Sequence, residues 1–184
     1  MRVLVAYAGR MGSTAEIAHR VAHQLRELDH EVDVRPCSDA PAAGGYDAVI
    51  VGSALYVGRW ERSALRYVKT QAEQLAARPT WLFQSGPCGP GLEQETVKTP
   101  RAVLRFIRRT GLQPPETFGG RLDPLRATTR LARWMAKSPY AGDYRDWDHV
   151  RLWTDEIVSR LEPDLDPLAA DTTTPQAGAG PSAR

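Results

Sequence analysis

The residues best suited to chemistry near the start of the chain are Gly9, Arg10, Met11, Gly12, Ser13 and Thr14. Two glycines allow a tight backbone turn, and two hydroxyls follow them. The apolar run Val3-Leu4-Val5-Ala6-Tyr7-Ala8 ahead of this turn reads as a buried strand. Behind it, Ile17, Val21, Leu25 and Leu28 recur at helical spacing, so Ser13 and Thr14 open a helix. A strand, a glycine turn and a helix N-terminus together form an anion cradle. Loop N–H groups point at the anion, the helix dipole favours negative charge, and hydroxyls add donors. The lysine of a P-loop is missing, as is the glycine spacing of the dinucleotide fingerprint. A cradle without lysine or magnesium suits a monophosphate, such as that of flavin mononucleotide (FMN). The same pattern also serves as a plain connection, so the later loops have to decide.

Two further loops carry unusual residues. Ser53, Ala54, Leu55, Tyr56, Val57 and Gly58, followed by Arg59 and Trp60, offer aromatic and aliphatic side chains on which a flat ring can rest. Tyr56 and Trp60 would equally serve as core packing. Ser85, Gly86, Pro87, Cys88 and Gly89 are small or turn-forming, so their backbone can approach a ring edge. Cys88 reads as an incidental small residue, because nothing nearby in sequence activates a thiolate. No His/Cys/Asp cluster has ligand spacing, so no metal is expected.

The elements that must position these loops alternate between strand and helix. Glu31–Arg35 is a short second strand and 46–53 a third, apolar on both faces as a central parallel strand is. Residues 54–59 read as loop and 60–77 as one helix with Ala64, Val68, Ala72 and Leu75 inward. Thr80–Ser85 is the fourth strand. Pro100–Arg109 is a helix with Val103, Phe106 and Ile107 inward and arginines 101, 105 and 108 outward. Glu116–Leu122 is the fifth strand, and Asp146 caps a last helix bearing Trp147, Val150, Trp153, Ile157 and Leu161. This alternation predicts an α/β fold, a doubly wound five-stranded parallel sheet with helices on both faces. Loops one, three and four then meet outside the carboxyl ends of the strands, at the switch point.

The chain has 184 residues with 24 lysines and arginines against 22 acids. Four acids and one base fall from Glu162 onward, so the body before it is basic, at 23 against 18. Residues 1–162 are expected to form one domain, and 163–184, rich in Pro, Ala, Thr and Gly without periodicity, a disordered tail. The two cysteines, Cys37 and Cys88, make no disulfide framework. The chain begins on a core strand and has no apolar run of membrane-spanning length, so no signal peptide is expected and a cytoplasmic protein is. Residues 123–145 are longer than a minimal link requires. Within Leu125–Lys137, Arg126, Arg130, Arg133 and Lys137 share one helical face and Leu131, Trp134 and Met135 another. That amphipathic pattern suits peripheral membrane contact or quinone access. No nucleic-acid recognition module is visible.

The strand and cradle, GSALYVGRW, the SGP turn, and FGGRLDP followed by a helix and DYRDWD resemble the flavodoxin superfamily, in the branch of menaquinone-dependent protoporphyrinogen oxidases of heme biosynthesis. The similarity runs from Met1 to about Leu161. It implies a flavoprotein with FMN held by all three loops and electron transfer from a porphyrinogen to a quinone. Where related cradles open with two hydroxyl residues this chain has Ala8 and Gly9, so phosphate binding would rest on backbone N–H groups, Ser13 and Thr14. Arg59, Arg121 and Arg126 are candidates for the substrate's carboxylates, since arginine forks match them. Two other readings compete: an electron carrier of the flavodoxin type, and a flavin-free binding module. The basic body argues against the carrier, because carriers of this fold tend to be acidic.

Overall fold

The computed structural model describes residues 1–86, 97–122 and 142–162. β1 (Arg2–Ala8), β2 (Glu31–Pro36), β3 (Ala48–Tyr56), β5 (Thr80–Ser85) and β6 (Glu116–Phe118) lie parallel in the order β2-β1-β3-β5-β6. This is the doubly wound sheet expected from the sequence. α1 (Ser13–Glu27) and α5 (Trp147–Leu161) cover one face. α2 (Arg62–Thr70), α3 (Ala72–Ala76) and α4 (Arg101–Thr110) cover the other.

Strand alternation assigns side chains to the two faces. Val3 and Val5 of β1, Ala48 and Ile50 of β3 and Phe83 of β5 pack with Ile17, Val21 and Leu25 of α1 and with Val150, Trp153 and Ile157 of α5. Their neighbours Leu4, Ala6, Val49, Val51 and Leu82 pack with Ala64, Val68, Leu75, Val103 and Phe106. Both central strands are therefore apolar on both sides. Gly52 lies beside Phe83 in the register, and a Cβ there would sit 1.9 Å from the Phe83 ring. The missing side chain is what lets that ring lie across β3 and meet Phe118 and Trp153.

Several boundaries differ from the sequence reading, each for a local reason. Residues 54–59 are not a loop. β3 continues to Tyr56 and pairs antiparallel with β4 (Arg59–Trp60), Leu55 opposite Trp60 and Tyr56 opposite Arg59. The connection is two residues, Val57 at φ 50° and Gly58 at φ 67°, and such left-handed pairs match the twist of a hairpin. The helix expected over 60–77 starts at Arg62 and breaks at Gln71, whose Oε1 accepts the Ala43 N–H at 3.0 Å. Leu28, expected on the apolar face of α1, is its C-cap and 44% exposed.

The strand expected over 116–122 divides after Phe118. A Cβ on Gly119 would lie 1.8 Å from the Tyr144 carbonyl oxygen, so the chain leaves the main sheet where that backbone crosses it. β7 (Arg121–Leu122) then pairs antiparallel with β8 (Gly142–Asp143) in a separate ladder. Asp146 caps α5 as expected, accepting the N–H groups of Asp148 and His149 at 3.0 Å each. The expected amphipathic stretch Leu125–Lys137, with Arg126, and the expected tail 163–184 lie outside the described residues. No helix among the described residues is long and apolar enough to cross a membrane.

Candidate functional site

The carboxyl ends of β1, β3 and β5 bring residues 9–14, residues 53–58 and the pair Ser85 and Gly86 to one edge of the sheet. Gly12 is the N-cap of α1 in the left-handed region, at φ 85°, and among the described residues no side chain caps the N–H groups behind it. A helix that lacks such a cap leaves donors and the positive end of its dipole for an anion. Ser13 and Thr14 are buried in its first turn, while Gly9 and Arg10 are exposed and Met11 half-buried. A Cβ on Gly9 would lie 2.7 Å from Thr14 Oγ1, so the loop folds tightly over that hydroxyl only because position 9 has no side chain.

Hydrogen bonds tie the loops together. Thr14 Oγ1 and Ser85 Oγ share a buried bond of 2.6 Å, joining the first loop to the third. Tyr56 Oη accepts the Arg10 N–H at 3.0 Å, joining the first to the second. Gly86, at φ 112°, donates its N–H to the Phe118 carbonyl at 3.0 Å and lies against Leu55. Ser53, fully buried, accepts the N–H of Glu61 at 2.9 Å and so fixes the base of the hairpin. Ala54 is buried, Leu55 and Tyr56 are half-buried, and Val57, at the turn, is 86% exposed. Pro87, Cys88 and Gly89 lie outside the described residues.

Trp60 belongs to the core. Its indole N–H donates to Gln84 Oε1 at 3.1 Å, and Gln84 passes the chain on to Thr117 Oγ1 at 3.0 Å. Arg121 is not the free fork expected for a substrate carboxylate. Its guanidinium holds Glu16 through two bonds of 3.2 and 3.0 Å, and its backbone N–H donates to Ser13 Oγ at 3.1 Å. Arg145 reaches the same Glu16 at 2.6 Å and Asp143 at 2.5 Å. Hydrogen bonding from Arg145 holds the Asp143 carboxyl below its ordinary range, and the same bond raises the Arg145 guanidinium. Arg59 is exposed on the hairpin.

Sequence reasoning missed Glu16, Glu61 and Arg145. An acid in the first turn of a helix is a legible signal, and Glu16 carried it. Glu61 and Arg145 matter through partners distant in sequence, which no spacing rule reveals.

A sheet of this order, with an uncapped helix N-terminus at the β1/β3 switch point, defines a flavodoxin-type α/β domain. The chain belongs to the flavodoxin domain family, whose profile matches residues 4–139. Among curated proteins it is similar to protoporphyrinogen IX dehydrogenase [quinone] of Escherichia coli strain K12, at 26% identity over 116 residues. That match covers 62% of this chain and 64% of the relative, somewhat less than two thirds of the relative's length. Among solved structures it resembles a flavodoxin from the domain Archaea (TM-score 0.59, 14% identity, 88% of this chain and 99% of that one). Oxidised Flavodoxin 2 from Bacillus cereus gives a TM-score of 0.58 at 20% identity, over 87% of this chain and 99% of that one. These two likenesses concern the fold.

Proposed function

We propose that this chain is an FMN-dependent oxidoreductase that oxidises a porphyrinogen-type substrate and passes the electrons to a quinone. The observation that carries the reading is the uncapped N-terminus of α1 behind left-handed Gly12, set between the ends of β3 and β5. The tight closure of Gly9 on Thr14 fits a small anion held by backbone donors. The substrate and acceptor are suggested by the name of the Escherichia coli relative.

In this reading the loop of Gly9, Arg10, Met11, Gly12, Ser13 and Thr14 encloses the phosphate, with the donors coming from Gly12, Ser13 and Thr14, while the Arg10 N–H is taken by Tyr56 Oη. Ser53, Ala54, Leu55, Tyr56, Val57 and Gly58 form one wall of the ring site, and Ser85, Gly86, Pro87, Cys88 and Gly89 approach the ring edge. Bound FMN supplies the redox chemistry itself. The chain contributes orientation: the Thr14–Ser85 bond fixes the floor, and the Tyr56–Arg10 bond fixes the spacing between cradle and wall. A quinone is lipid-soluble, so the basic and apolar stretch Leu125–Lys137 is proposed as the contact with a membrane surface on the cytoplasmic side.

The test is spectroscopic and then kinetic. Purified protein mixed with FMN and desalted should keep a bound-flavin absorbance; its absence would leave a flavin-free binding module. Anaerobic bleaching by a porphyrinogen and recovery on adding a menaquinone analogue would establish the enzyme. Bleaching only by a reductase, with no response to porphyrinogen, would establish an electron carrier instead.

A further inference from the structure

Arg10 is the one charged residue of the cradle loop, and it is held against the hairpin. Its Nε is 2.6 Å from Glu61 Oε1, and the Glu61 side chain is only 12% exposed. Its guanidinium carbon lies 5.2 Å from the centroid of the Tyr56 ring. Its backbone N–H is bonded to the hydroxyl of that same tyrosine. Glu61 in turn is fixed by its own N–H to buried Ser53. The guanidinium is thus pinned through its Nε edge, its face and its backbone. Its terminal nitrogens Nη1 and Nη2 make no hydrogen bond among the described residues, and the side chain remains 53% exposed.

We infer that Arg10 is a preorganised fork for a carboxylate of the substrate, placed where the cradle loop meets the Tyr56 wall. The two terminal nitrogens of a guanidinium present parallel N–H donors that match a carboxylate bidentately. Ordering a long arginine normally opposes binding, and here Glu61 and Tyr56 have already ordered it. Stacking on the aromatic face keeps the cation in place without consuming its terminal donors. A phosphate offers the same oxygen geometry, but Arg10 is held on the last residue of β3, by the wall. The uncapped donors of α1 form a separate anion site. The inference rests on the proposed reading that a carboxylate-bearing porphyrinogen enters beside this wall. It replaces Arg121, which Glu16 occupies.

The test is equilibrium binding to the oxidised, FMN-supplemented protein, read by porphyrin fluorescence and needing no turnover. Mesoporphyrin IX, a dicarboxylate, should bind wild type about tenfold to a hundredfold more tightly than its dimethyl ester, the range of one charged bidentate contact. Arg10→Gln should abolish that preference. Arg10→Lys should lose most of it, since an ammonium keeps the charge without the fork. Arg66→Gln, which removes the same charge from the exposed face of α2, should change it by less than about threefold. Equal losses in Arg66→Gln and Arg10→Gln, or a preference that survives Arg10→Gln, would overturn the fork and leave the porphyrinogen reading standing. A matching loss of FMN over riboflavin preference in Arg10→Gln would assign the fork to the cofactor phosphate and overturn the inference. If neither porphyrin form binds, the substrate reading falls, and naphthalene-2,6-dicarboxylate decides the fork. Its binding to wild type and loss in Arg10→Gln would support the fork; equal affinity, or none, would refute it.

Discussion

Thr14 Oγ1 and Ser85 Oγ, 71 positions apart, share a 2.6 Å hydrogen bond in the buried floor of the site. Each hydroxyl has one proton. When one donates to the other, the second proton is left to serve a ligand. The pair therefore joins the first and third loops, and in the proposed reading its second proton would be the donor offered to the cofactor.

Removing either hydroxyl leaves the other buried without its partner. Thr14→Val and Ser85→Ala should each lower stability by about 1–2 kcal/mol in urea denaturation, the usual range for an orphaned buried hydroxyl. Both should weaken FMN binding severalfold. Unchanged stability in both variants would mean that the bond does not hold the loops together.

Gly12 sits at φ 85°, a conformation that a β-branched residue adopts only under strain of about 1–3 kcal/mol. Gly12→Val should therefore distort the turn at the helix N-terminus. Ser13→Glu should place a carboxylate among the donors proposed to hold phosphate and remove the acceptor of the Arg121 N–H. Both variants should lose flavin on desalting, measured by absorbance. Full occupancy in either would locate the phosphate elsewhere.

The sheet was legible because Val3–Ala8, the apolar residues from Ala48 to Val51 and Leu82–Phe83 are apolar without interruption, and buried parallel strands demand that. The turn into α1 was legible because glycines mark the break after β1 and Ile17, Val21 and Leu25 carry the helical period from Ser13 onward. The hairpin was not. Tyr56-Val57-Gly58-Arg59 lacks the Asn-Gly or Asp-Gly signal, and a valine at φ 50° is an unusual turn residue. The break after Phe118 was hidden for another reason. Gly119 is required by the Tyr144 carbonyl, a contact across 25 positions that sequence spacing does not reveal. Leu28 shows that helical periodicity overruns a helix that has already ended.

Cys37 follows β2 and is buried, and burial pushes its thiol up to about 12. The thiolate is the reactive form, so almost none is present near neutrality. Iodoacetamide at pH 8 should leave Cys37 unmodified in the native protein and alkylate it fully in urea, as mapped by mass spectrometry. Rapid native modification of Cys37 would contradict its burial.

The last prediction concerns acid. Arg145, with its side chain 4% exposed, bridges Asp143 and Glu16, and Arg121 joins the same Glu16. This network ties the β7–β8 ladder to the first turn of α1. The Arg145 hydrogen bond is the largest cause of the lowered Asp143 carboxyl. A carboxylate held below its unfolded value favours the folded state at every pH above that unfolded value. The contribution is lost as pH falls from the ordinary aspartate range through the lower folded value. Wild type should therefore be more stable than Asp143→Asn at pH 7, and the gap should close progressively below about pH 4. The gap should be modest, because the Asp143 side chain is 43% exposed and solvent screens the pair. Glu16→Ala should cost more than Asp143→Asn, since it takes one acceptor from two arginines, one of them almost fully buried. Thermal unfolding from pH 7 to pH 3 measures both. A gap between wild type and Asp143→Asn that stays constant over that range would show that Asp143 acts through shape and not through its charge.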